Sequence, residues 1–147
     1  MRKIIHIVLI ILIALFAIGC TKDISSNKSN SLLINNLDEA KSFSMIIEEA
    51  GRLDGQIFMT AYGFDSERFK LIIPETFDTI TYNKPTIDNI YFSDGLFFFP
   101  TRIENGFIRI GTVKQSLVKG HFMVTMSDGY HQVGLRRIEG FFTIIFD

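Results

Sequence analysis

From residue 56 onward the chain consists of short apolar runs in which Phe, Ile, Val, Thr and Tyr dominate. QIFMTAYGF, RFKLIIP, TFDTITY, IYFS, FIRIG, HFMVTM and GFFTIIF each have the length and composition of a β-strand. Three dipeptides break the last third of this pattern: Asp94-Gly95, Asn105-Gly106 and Asp128-Gly129. Glycine accepts the positive φ of tight hairpin turns, and Asn and Asp tolerate it better than most residues. Repeated antiparallel hairpins follow, so the expected fold is all-β, either a β-sandwich or a barrel-like hairpin array. Residues 37 to 50 fit two templates. Leu37, Ala40, Phe43, Ile47 and Ala50 lie at helical spacing, with Asn36 and Glu39 placed as a capping box and Gly51 as a stop, which fits one short N-terminal helix as one of the two readings. Phe43, Met45 and Ile47 alternate as a strand does.

The hairpins carry predicted registers. A two-residue loop at Asp128-Gly129 sets Phe122 opposite Leu135, Val124 opposite Val133, Met126 opposite His131 and His121 opposite Arg136. His121 and His131 then point to opposite faces, which argues against a shared metal. At Asn105-Gly106 a two-residue loop would oppose Arg102 and Arg109, so a three-residue loop, Glu104 to Gly106, is expected, with Ile103 facing Phe107 and Gly106 in a bulge. Pro100 cannot donate a ladder hydrogen bond and marks a strand end or edge.

The N-terminus has a different character. Arg2 and Lys3 precede fifteen residues, Ile4 to Ile18, that are apolar except for His6, the layout of an export signal. As a helix this run rises about 22 Å, short of the roughly 30 Å hydrocarbon core. It ends in Ala17, Ile18 and Gly19 before Cys20, the one cysteine in the chain. This stretch resembles a bacterial lipoprotein box, although Ala17 stands where Leu is most frequent. The resemblance implies diacylglycerol transfer to the Cys20 sulfur, cleavage after Gly19 and acylation of the new amino group. Such a thiol forms no disulfide. The expected organisation is a signal peptide over 1–19, a lipidated Cys20 with a polar tether to residue 31, and one β-rich domain over 32–147. Eleven tether residues reach about 18 Å.

Composition narrows the partners. Without Arg2 and Lys3, the 15 basic residues fall three short of the 16 acidic ones, and no basic tract is present, which argues against nucleic acid. With the strands laid out, Gly120-His121-Phe122 and Gly140-Phe141-Phe142 form a Gly-x-Phe pair. Together with GFIRIGTV and IYFSDGLFF, it resembles an uncharacterised family of small Bacteroidota cell-envelope lipoproteins over residues 55 to 147. The resemblance implies a lipid-anchored β-sandwich or barrel-like module at the outer membrane, favours strand over 42–48, and supplies no catalytic residue.

A search for chemistry returns little. No Gly-x-Ser-x-Gly turn, zinc-ligand spacing or Gly-rich phosphate loop occurs in the sequence. No catalytic residue, metal or cofactor is expected beyond the diacylglycerol and acyl groups on Cys20. The acidic groups Glu48, Glu49 and Asp54, and Asp65 and Glu67, read as solvated turns and edges. If LFFFP is a strand with Phe97 and Phe99 in the core, Phe98 emerges beside Tyr91 as an aromatic ligand surface, unless another element covers it. Three functions follow as expectations: a non-enzymatic envelope module that binds a protein or apolar ligand, a carrier with a Phe-rich cavity, and a hydrolase working through carboxylates alone.

Overall fold

The computed structural model describes residues 29–128 and 134–146. The signal peptide, Cys20, most of the tether and His131 lie outside the described residues. Among the described residues there are nine strands: β1 (Ser31–Asn36), β2 (Lys41–Leu53), β3 (Gln56–Gly63), β4 (Arg68–Pro74), β5 (Ile80–Asn83), β6 (Ile90–Ser93), β7 (Arg102–Lys114), β8 (Leu117–Ser127) and β9 (Leu135–Ile145). They form one antiparallel sheet in the order β5-β7-β8-β9-β1-β2-β3-β4-β6. The sheet curls into a half-barrel, so the barrel-like alternative holds and two packed sheets do not.

The curl is visible in the ring contacts. Phe69 of β4 stacks on Phe122 of β8 at 5.5 Å between centroids, although four strands separate them in the sheet. Only a sheet folded towards itself brings them together. Alternate side chains line the concave face, where Ile57, Met59, Leu71, Ile90, Phe92, Ile108, Ile110, Val124, Met126, Ile138 and Ile144 lose essentially all solvent contact. Bulges in the two longest strands assist the bend, at Glu48 in β2 and at Glu104 and Gly111 in β7.

No helix forms over residues 37–50. The Asn36 side chain accepts the amides of Asp38 (3.0 Å) and Glu39 (3.4 Å), but the chain then turns back as β2, and Phe43 packs on Phe92 at 4.8 Å. The double periodicity has a physical source. Phe43, Met45 and Ile47 alternate inward, the bulge at Glu48 shifts the phase by one residue, and Ala50 returns to the core. A bulged strand thereby imitates helical spacing.

Three predicted turns are corrected. Asn105-Gly106 lies inside β7, paired with Thr125 and Val124 of β8, and the connection between those strands falls at Gln115-Ser116 instead. Gly106 lies in the regular ladder two residues past the bulge at Glu104, with φ of 140° and no room for a Cβ, which would sit 2.3 Å from the Met123 carbonyl oxygen. The β8–β9 register sets His121 opposite Phe141 and Arg136 opposite Met126, five residues away from the register of a two-residue loop. Leu135 consequently opposes Ser127 and is exposed, not buried against Phe122. LFFF does not continue as a strand after Asp94-Gly95. TFDTITY contributes only Ile80, Thr81 and Tyr82 to the four-residue β5, and Pro100 precedes β7 as expected of a residue outside the ladder.

The Gly-x-Phe pair explains the observed register. Gly120 opposes Phe142 and Gly140 opposes Phe122. A Cβ on Gly120 would fall 2.3 Å from the Phe142 ring, and one on Gly140 would fall 2.2 Å from the Phe122 ring. Each glycine thus makes room for the ring across from it, and a shifted pairing would drive both rings into backbone atoms or side chains.

Candidate binding surface

The strands define two ends of the sheet. One gathers the β1–β2 and β3–β4 turns, residues 94–101 and the start of β9. Here Leu37 N–H donates to Arg137 and Thr101 N–H to Ser127. The other holds the chain entry at Ser29, the Asp54-Gly55 turn, the Gln115-Ser116 turn and Phe146. Strand β1 begins inside the expected tether, and Asn30 Oδ1 accepts the Ile145 amide at 2.7 Å. Thirteen-residue strands make the two ends at most about 40 Å apart.

The candidate surface lies at the end remote from the chain entry and is organised by Asp94. Its Oδ1 accepts the backbone amides of Leu96 (3.0 Å), Phe97 (2.9 Å) and Phe98 (2.7 Å). Its Oδ2 meets the Arg136 guanidinium at 2.8 Å, with both side chains mostly buried. Burial works to raise the Asp94 carboxyl, but the three amides and Arg136 outweigh it and hold it below its ordinary 3.8. Arg136 also lies 4.8 Å over the Phe98 ring and reaches Glu39 at 3.7 Å. The loop abuts the β3–β4 turn closely enough that a Cβ on Gly95 would stand 2.2 Å from the Ser66 carbonyl oxygen.

On this fixed base the apolar side chains face water. Phe97 is 69% exposed, Leu96 62% and Phe99 45%, with Phe64 at 81% on the adjoining β3–β4 turn. Leu135, next to Arg136, adds to the same end. Clustered exposed aromatics mark interaction surfaces more often than singly scattered ones do. Because Asp94 already orders the loop, little further ordering opposes binding.

The predicted aromatic surface of Tyr91 and Phe98 is therefore corrected. Tyr91 is half-buried on β6 opposite Lys70, while Phe98 has no solvent exposure. Strand alternation does not govern LFFFP, because the three amides on Asp94 wrap the chain into a turn that directs Phe98 inward and its neighbours outward. The usable signal was Asp94 itself, since an Asp heading a loop binds amides two or more residues ahead.

The remaining candidates are accounted for locally. His121 Nε2 lies 3.0 Å from Glu139, and the ring stacks on Phe141 at 4.5 Å with Phe107 edge-on at 5.3 Å. It is thus half-buried among aromatics and not beside Arg136. Buried Glu67 accepts the Asp65 amide at 2.8 Å. Among the described residues no three His, Cys, Asp or Glu side chains gather as a metal site. A groove of about 770 Å³ opens to solvent where the β1–β2 ladder stops at Leu33 while β2 continues, between Ser29–Leu32 and Met45–Ala50. No protein-family model, curated protein or solved structure matches this chain.

Proposed function

We propose that this protein is a lipid-anchored, non-enzymatic binding or accessory module of the bacterial cell envelope, tethered through Cys20 to the outer membrane and engaging a partner protein through the Asp94 loop. The carrying observation is that Leu96, Phe97 and Phe99 are exposed on a loop whose backbone is already fixed by Asp94 and Arg136. Both Asp94 oxygens are committed to that task, which favours structural use of this carboxylate over proton transfer. The carrier alternative calls for phenylalanines lining a void. Instead Phe43 packs on Phe92 and Phe69 on Phe122, which favours a filled interior. The lipoprotein-like box before Cys20 and the Gly-x-Phe resemblance support the envelope setting.

Site-specific photo-crosslinking in the native cell tests the binding role. A photoreactive residue at Phe97 is expected to yield a discrete adduct that disappears when Leu96 and Phe99 are changed to Ser. The same probe at Lys70 is expected to yield none. Equal labelling from both positions would defeat the reading.

A further inference from the structure

We propose that Phe77 and Leu53 seat directly on the bilayer surface, so that the domain stands end-on with the Asp94 loop directed away from the membrane. The inference rests on the anchor at Cys20 and adds a second, non-covalent membrane contact.

Phe77 is the most exposed phenylalanine outside the Asp94 end, at 80%. It is held outward by a closed turn: the Thr76 hydroxyl donates to the Asp78 carbonyl at 2.9 Å and accepts the Asp78 amide at 3.2 Å. The turn is fastened to the end of β2, since Glu75 N–H donates to the Gly55 carbonyl at 2.8 Å and the Glu75 carboxylate meets Arg52 at 3.1 Å. Leu53, 63% exposed, precedes the Asp54-Gly55 turn that receives this bond. Two large apolar side chains therefore project from one ordered corner.

That corner belongs to the end at which the chain enters. Ser31 pairs with Thr143 near the end of β9, and Asn30 holds the Ile145 amide. Cys20 precedes Ser29 by nine residues, and a chain of that length can span at most about 32 Å. The Asp94 end lies at the opposite end of the strands, at most about 40 Å away. An acyl group on Cys20 thus keeps the Phe77 corner close to lipid, and at the resulting high effective concentration even a small apolar contact is populated. Asp54 and Asp78 flank the pair, so the attraction is apolar and independent of anionic headgroups.

The chain contains no tryptophan, so a single introduced indole reports without background. The protein carrying Phe77→Trp, or Phe97→Trp in a separate sample, is purified from its native cell and reconstituted in phosphatidylcholine vesicles with and without brominated lipid. Emission from position 77 is expected to shift to the blue and fall about twofold with bromine, whereas position 97 stays unquenched. Protein that floats with the vesicles and carries its acyl groups, yet shows no quenching at 77 or equal quenching at both positions, overturns this orientation and leaves the anchor standing. Protein that fails to float and bears an unmodified Cys20 overturns the anchor and this inference with it.

Discussion

Gly140→Ala adds a single methyl group at the point where β1, β8 and β9 meet. The new Cβ would lie 2.2 Å from the Phe122 Cζ, 2.6 Å from its Cε1 and 2.8 Å from the Leu33 carbonyl oxygen. Ordinary carbon contacts begin near 3.4 Å, so the ring must retreat by more than 1 Å. Phe122 has no free space for that movement, being wholly buried and stacked on Phe69. The Leu33 oxygen belongs to the β1 backbone and yields only if the β1–β9 ladder shifts. The cost therefore falls at the top of the overpacking range, about 3 kcal/mol, or a fall in Tm of about 10 °C. Urea unfolding followed by circular dichroism measures it. Phe122→Ala alone should cost about 3–5 kcal/mol by leaving a cavity, and in that background Gly140→Ala should cost at least about 1 kcal/mol less than in the parent. A Gly140→Ala penalty under about 1 kcal/mol, or full additivity with Phe122→Ala, would refute the idea that glycine and ring fix the register together.

Two further substitutions separate the phenylalanines of the LFFFP stretch. Phe98→Ala is expected to destabilise by about 3–5 kcal/mol and Phe97→Ala by no more than about 0.5, as read from paired urea titrations; equal effects would place both rings in one environment. The Asp94 carboxyl is held below its ordinary value in the folded chain, so its stabilisation is complete above pH 3.8 and is lost as pH falls through the lowered folded value. The stability gap between the parent and Asp94→Asn should accordingly close on acidification below that pH, and a gap that stays constant would contradict the role given to this carboxylate.

How far the sequence could be read depended on whether one pattern had one cause. Strands β3, β4, β8 and β9 were legible because their inward residues alternate without interruption, from Ile57, Met59 and Ala61 to Ile138, Gly140 and Phe142. Residues 37 to 50 were ambiguous because a bulge at Glu48 gives a strand the same spacing as a helix. Asn105-Gly106 misled because a crowded position inside a strand and a hairpin turn can both call for a glycine with positive φ, and nothing local tells them apart. The true β7–β8 turn, Gln115-Ser116, contains neither glycine nor asparagine and left no such mark. The β8–β9 register was in principle recoverable, since placing each Gly of the Gly-x-Phe pair opposite the other strand's Phe selects the pairing observed.

The candidate surface was half legible. The aromatic run after Asp94 drew notice as a candidate, but the choice of which ring faces water followed a strand rule where the chain is a turn. Whether Phe97 or Phe98 is buried depends on long-range partners, chiefly Arg136, forty-two residues further along the chain from Asp94. Local spacing carries no information about such a partner. The Phe77 corner was similarly hidden, because its meaning comes from lying at the chain-entry end of the sheet, a consequence of topology.

The functional account stands or falls with covalent lipid on the sulfur at position 20. Intact-mass and fragment-ion analysis of the protein purified from its native cell tests this directly. The account predicts a chain that begins at Cys20 and carries diacylglycerol on the thiol and an acyl group on the amine. A chain that begins at Met1 with a free thiol would contradict it.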